Sequence, residues 1–140
     1  MPIEIEKKYR LTRRQRQELQ RRLPEIGAIF EGEEFEENTL YSGGALEIGT
    51  SVLRLRRVGN GAVLTYKQRF PSSSPIKQQQ EDETQVSDAG AMEAILDALG
   101  FVPALVYEKR RATWRLGEAE IVSDELPFGL FTLATRSFLE

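Results

Sequence analysis

The sequence predicts an α+β chain built on an antiparallel sheet or barrel, and three observations carry that prediction. Six or seven segments alternate apolar and polar residues with a period of two. Two segments instead place apolar residues at helical spacing, and the strands are joined largely by hairpin signals. In strand after strand one whole face is ionic, so those faces either meet solvent or line a pore of mixed charge.

Residues 2–10 alternate as a first strand, with Glu4, Glu6, Lys8 and Arg10 on one side and Ile3, Ile5 and Tyr9 on the other. Two carboxylates two residues apart on a strand lie roughly 6.5–7 Å apart, near enough to grip one cation together. Thr12 with Gln15 reads as a capping box opening a helix over Arg13–Leu23, with Leu19, Leu23 and Ile26 toward a core. Residues 28–40 read as an acidic strand or loop pair, its glutamates a solvated edge. Tyr41-Ser42-Gly43-Gly44 reads as a turn, and 45–49 as a short helix.

Val52–Val58 puts Arg54 and Arg56 on one face, leaving Arg57 to point away. Gly59-Asn60-Gly61 is a tight hairpin, and 62–70 returns with Thr65, Lys67 and Arg69 on one face. Residues 77–86 place Lys77, Gln79, Glu81, Glu83 and Gln85 together, with almost nothing to bury in an ordinary core. Ser87 is the expected cap of a helix to Leu99, whose Met92, Ile95, Leu96 and Leu99 face a core and whose Gly100 ends it. Residues 105–116 share Tyr107, Lys109, Arg111, Thr113 and Arg115 on one face. Residues 119–125 form the last clear strand, carrying Glu120 and Asp124.

Composition removes several classes of chemistry. The 140 residues contain no Cys and no His, so there is no disulfide, thiol nucleophile, thiolate zinc site or Ser-His-Asp triad. Any metal must be held by oxygens, which points to Mg²⁺, Mn²⁺ or Ca²⁺. A net charge of −3 argues against a nucleic-acid polymer as partner, and no apolar run approaches a membrane span. One cytoplasmic domain is the expectation. Arg and Lys facing acidic pairs suit a polyphosphate bridged by a divalent ion.

The motifs resemble the CYTH domain, or triphosphate tunnel metalloenzyme, family across nearly the whole chain. They are Glu4-Ile5-Glu6-Lys7-Lys8, Asn38 with Tyr41, Val52-Leu53-Arg54-Leu55-Arg56 and Leu64-Thr65-Tyr66-Lys67. Glu81-Asp82-Glu83, Tyr107-Glu108-Lys109-Arg110-Arg111 and Ser123-Asp124-Glu125 continue the series. The resemblance implies one domain over 1–140, a closed eight-stranded antiparallel β-barrel with helices packed outside. It implies a hydrolase acting on inorganic triphosphate or a small organic triphosphate with Mg²⁺ or Mn²⁺. The alternatives are a class IV adenylyl cyclase making cyclic AMP from ATP, and a weakly catalytic polyphosphate- or nucleotide-binding module. A homodimer is compatible with it.

By matching position, the resemblance implies Glu4, Glu6 and Asp124 at the metal. It implies Lys8, Arg54, Arg56, Lys67, Lys77, Lys109 and Arg111 at the substrate, and Lys8, Glu81 and Glu83 in catalysis. Gln79 stands where relatives place an Arg. After Gly129-Leu130-Phe131 the family carries an acidic pair, and here Leu133 and Thr135 stand in its place, which makes 126–140 atypical.

Overall fold

Pairing of alternating strands closes the chain on itself. A computed structural model describes residues 2–71 and 73–139. The strands are β1 (Ile3–Leu11), β2 (Ile29–Ser42), β3 (Ser51–Val58), β4 (Gly61–Arg69), β5 (Ile76–Val86), β6 (Val102–Leu116), β7 (Ala119–Leu126) and β8 (Leu130–Leu139). Helix α1 (Arg13–Arg22) follows β1, and α2 (Ala89–Ala98) follows β5. The strands form a closed barrel in the order β1-β5-β4-β3-β2-β6-β7-β8. Every neighbouring pair is antiparallel, and the seam between β1 and β8 is paired from Ile3↔Leu139 to Leu11↔Phe131.

Residues opposite one another across a ladder share a face. The register therefore carries one face round the barrel: Glu4↔Gln79, Lys67↔Glu81, Arg54↔Thr65, Asn38↔Arg56, Glu36↔Lys109, Arg111↔Asp124, Glu120↔Arg136 and back to Glu6↔Arg136. That face is the interior. The apolar residues lie outside the wall, beneath the helices. Leu96 of α2, with Met92 and Ala89, covers Tyr41, Leu55 and Ala62. Leu23 and Leu19, at the end of α1, cover Ile121, Trp114, Leu116 and Leu133. The barrel is apolar under its helices and ionic within.

Several elements differ from the sequence reading. Residues 28–40 belong to one long strand, kinked by a register shift near Gly32, not to a loop pair. β2 continues through Ser42, and residues 45–49 form turns rather than a helix. Helix α2 is capped by Asp88, whose side chain accepts from the Ala91 N–H at 2.9 Å, and not by Ser87. Its Ile95 and Leu99 are 51% and 69% exposed, because only one narrow stripe of the helix meets the wall. Ile26 is exposed as well. The Thr12–Gln15 capping box is present as expected. Gly59 alone takes a positive φ (57°) in the β3–β4 hairpin, and Gly100 (φ 90°) ends α2. β8 was not legible as a strand from alternation alone.

Candidate functional site

The charged face of β1 meets those of β5 and β4 at one cluster. Glu4 is fully buried, and its carboxylate accepts from Lys67 Nζ at 3.2 and 3.4 Å and from Gln79 Nε2 at 3.1 Å. Lys67 Nζ also lies 3.7 Å from Glu81. The Glu4 and Glu81 carboxyls lie close enough to perturb each other's ionisation. Burial, then the contact with Glu4, pushes Glu81 up to about 7. Burial also opposes ionisation of Glu4, but Glu81, Lys67 and Arg136 outweigh it and hold Glu4 well below the usual carboxylate range. Gln79 thus serves as a neutral donor to Glu4.

The opposite wall is arginine-rich. Arg111 grips Asp124 with both edges of a fork, Nε to Oδ1 at 2.8 Å and Nη2 to Oδ2 at 2.9 Å. Lys109 Nζ adds a contact to Asp124 at 3.3 Å and lies 3.7 Å from Glu36. Arg111 and Lys109 overcome the burial that opposes ionisation of Asp124 and hold it at about 2. Burial, then the charge of Arg111, lowers Lys109 to about 7. Arg56 Nε lies 3.1 Å from both Asn38 Oδ1 and Glu36 Oε1. Burial, then Arg54, lowers Arg56 to about 10.

Arg54 is the exception to this pairing. Only 8% of it is exposed, yet it makes no hydrogen bond or ion pair with any described residue. Arg56 Nη2 is similarly without an acceptor. Two neighbouring guanidiniums inside a barrel with donors to spare form a socket for an anion.

The interior brings together Glu4, Glu6, Arg54, Arg56, Lys67, Glu81, Lys109, Arg111 and Asp124. Lys8, Lys77 and Glu83 lie on the same face but further out. Lys8 has a side chain 46% exposed and sits 3.9 Å from Glu6. Lys77 stands opposite Glu6 in the ladder and is half-buried. Glu83 is exposed, accepting from Thr65 Oγ1 at 3.1 Å. Because Lys8 follows Glu4 along β1 while Glu83 lies beyond its partner strand's opposite end, these two diverge toward opposite mouths. Arg57 points outward, as expected, and pairs with Glu93 of α2.

Leu133 and Thr135 do not face the interior. Leu133 packs under α1 with Leu23 and Ile121, while the inner positions of β8 are Thr132, Ala134 and Arg136. The inner face of β8 thus carries no carboxylate at 132, 134 or 136. Among the described residues, no three carboxylates converge as a closed metal cage.

Sequence reasoning missed Glu36 and Arg136. Glu36, 1% exposed, was read as part of a solvated acidic edge, although it is in phase with Asn38 two residues on. Arg136 was hidden in the tail, where the phase of alternation is not readable without the β1 partner.

No helix among the described residues is long and apolar enough to cross a membrane. No curated protein matches the chain by sequence. Among solved structures, the PH1012 protein of Pyrococcus horikoshii OT3 is 23% identical with a TM-score of 0.83, covering 96% of this chain and 77% of that one. A Vibrio parahaemolyticus protein named as an adenylate cyclase is 18% identical with a TM-score of 0.80, covering 96% and 75%. A Hippeastrum protein named as an adenylyl cyclase, and described as having a dominant triphosphatase activity, is 20% identical with a TM-score of 0.74, covering 98% and 80%. At these identities the likeness shows the fold. The CYTH domain matches residues 2–139, and with that span, this barrel and its inward-facing motifs, the chain belongs to the CYTH domain family.

Proposed function

We propose that this chain is a metal-dependent hydrolase of a small triphosphate-bearing molecule, bound in the barrel interior. The family binds triphosphate substrates, its members are enzymes, and it is metal-dependent in general. The observation that carries the reading is Arg54: a buried guanidinium that pairs with no described residue, in a wall where Arg56, Lys67, Lys109 and Arg111 each meet a carboxylate. An anion with several oxygens completes Arg54 and the spare donor of Arg56.

The residues present fit a hard divalent ion. Glu4 is held ionised, Glu81 lies near it, and Glu6 lies next on the same face. Mg²⁺ needs only one or two carboxylates and keeps its remaining positions for water and phosphate oxygens, so an open set of this kind suffices. Mg²⁺ and Mn²⁺ are both suited to such oxygen donors. Glu4 and Glu6 would hold the ion, which supplies charge neutralisation across the phosphate oxygens. Asp124, occupied on both oxygens, contributes by fixing Arg111 and Lys109.

The remaining chemistry belongs to side chains. Arg54, Arg56, Lys67, Lys109 and Arg111 bind and orient the phosphates and stabilise charge that builds on their oxygens. Glu81, whose carboxyl titrates near neutrality, takes the proton from attacking water. Lys8 and Lys77, toward one mouth, meet the end of the substrate that lies there. Glu83, toward the other, orders incoming water.

The purified chain, incubated with triphosphate, thiamine triphosphate and ATP under Mg²⁺ or Mn²⁺, should release phosphate, and Glu6→Gln should abolish at least about 99% of that release. Cyclic AMP without phosphate would assign the cyclase instead. Binding without turnover would leave a binding module, the reading that the β8 face of Thr132 and Ala134, without a carboxylate, favours.

A further inference from the structure

We propose that Arg136 is a phosphate-binding residue of this interior, presenting a guanidinium where β8 carries no carboxylate. The inference rests on the triphosphate-binding reading above. Arg136 stands on the inner face of β8, opposite Glu6 on one side and Glu120 on the other. Its side chain is 16% exposed. Nη2 donates to Glu120 Oε1 at 2.7 Å, which fixes the position of the head group. Glu120 is shared, with Arg115 Nη2 3.9 Å from its other oxygen.

The rest of the head group is unused. Arg136 Nε is buried and finds no acceptor among the described residues. Its charge reaches both walls, helping to keep Glu4 ionised and opposing the charge of Arg56. A group placed between those two clusters, anchored on one donor and unsatisfied on another, is completed by an anion lying between it and the spare donor of Arg56. A purely structural ion pair would need neither the inward position nor the spare donor.

The test is calorimetric titration of the full chain with inorganic triphosphate in EDTA at low salt, so that metal ligation does not enter. Arg136→Gln should weaken binding by about 10- to 100-fold, while Glu120→Gln stays within about threefold of the parent. Arg136→Lys should recover part of the loss, because it keeps the charge and not the fork. Should Arg136→Gln melt below the assay temperature, Arg136→Lys decides: binding several-fold weaker than the parent supports the proposal, and unchanged binding overturns it. Unchanged binding in Arg136→Gln alongside a loss in Arg56→Ala overturns the assignment and leaves the interior site standing. Equal losses of binding and of melting temperature in Arg136→Gln and Glu120→Gln overturn it too, since the pair alone would then matter. A parent chain that binds no triphosphate, with or without Mg²⁺, overturns both this inference and the reading beneath it.

Discussion

Arg54 and Asp124 are buried to a similar degree in the same interior under opposite conditions: Asp124 has two cationic partners, and Arg54 has none among the described residues. Asp124→Asn would leave Arg111 without its ion-pair partner and Lys109 with Glu36 alone, at a cost of about 3–5 kcal/mol, read as a lower midpoint in urea. The acid limb of stability follows from the same contact. Asp124 titrates at about 2 in the fold against 3.8 ordinarily, so its contribution is complete above pH 3.8 and disappears as pH falls through 2. That contribution is on the order of 2 kcal/mol and should be missing from the acid unfolding curve of Asp124→Asn. Lys109 acts in the other direction. Lowered from 10.5 to about 7, it carries a full burial penalty below pH 7 that is relieved as pH rises toward 10.5. Most interior residues were legible because alternation put Glu4 with Glu6, Arg54 with Arg56 and Lys109 with Arg111. Partnership was not: nothing in the sequence distinguishes the satisfied Arg111 from the unsatisfied Arg54, which depends on strands far apart in the chain.

At the level of elements, the helices supply what the strands lack. Leu23, 2% exposed, seals the outer wall against Ile121 and Leu133 and touches no interior charge. Leu23→Ala should therefore destabilise the fold by about 2–5 kcal/mol in a denaturant titration while leaving triphosphate affinity at the parent value. Strands β3, β4 and β5 were readable because each ends at a turn signal and keeps strict alternation. β2 was harder, because five glutamates within residues 31–37 look like solvated surface whether or not one of them turns inward. The register shift near Gly32 adjusts the phase so that Glu36 meets Lys109. β8 was hardest of all, since Leu130, Phe131 and Leu133 do not alternate, and its faces are set only by its pairing with β1 and β7.

Over the whole molecule, net charge is a poor guide to the potential a ligand meets. The total is −3, while the interior holds a cation, Arg54, that pairs with no described residue, and spare donors on Arg56 and Arg136. An anion that satisfies these donors binds the folded state alone. Triphosphate at about 100 times its dissociation constant should add about 2.7 kcal/mol and raise the melting temperature by roughly 5–10 °C. The exposed Lys8 at the mouth should make part of that gain salt-dependent, so the shift measured by scanning calorimetry should shrink at 1 M salt. A shift independent of both ligand concentration and salt would contradict this account of the interior.

The seam between β1 and β8 also governs how the protein can be made. The first strand finds one of its two neighbours only among the final ten described residues, and the other nearly seventy residues downstream. During synthesis, Glu4 and Glu6 emerge early and stay in water until Lys67, Gln79 and finally Arg136 have left the ribosome. Closure is therefore a late event, and a chain stalled before β8 exposes two free strand edges with an ionic face between them. The last strand, the least regular in sequence, is the one that completes the vessel.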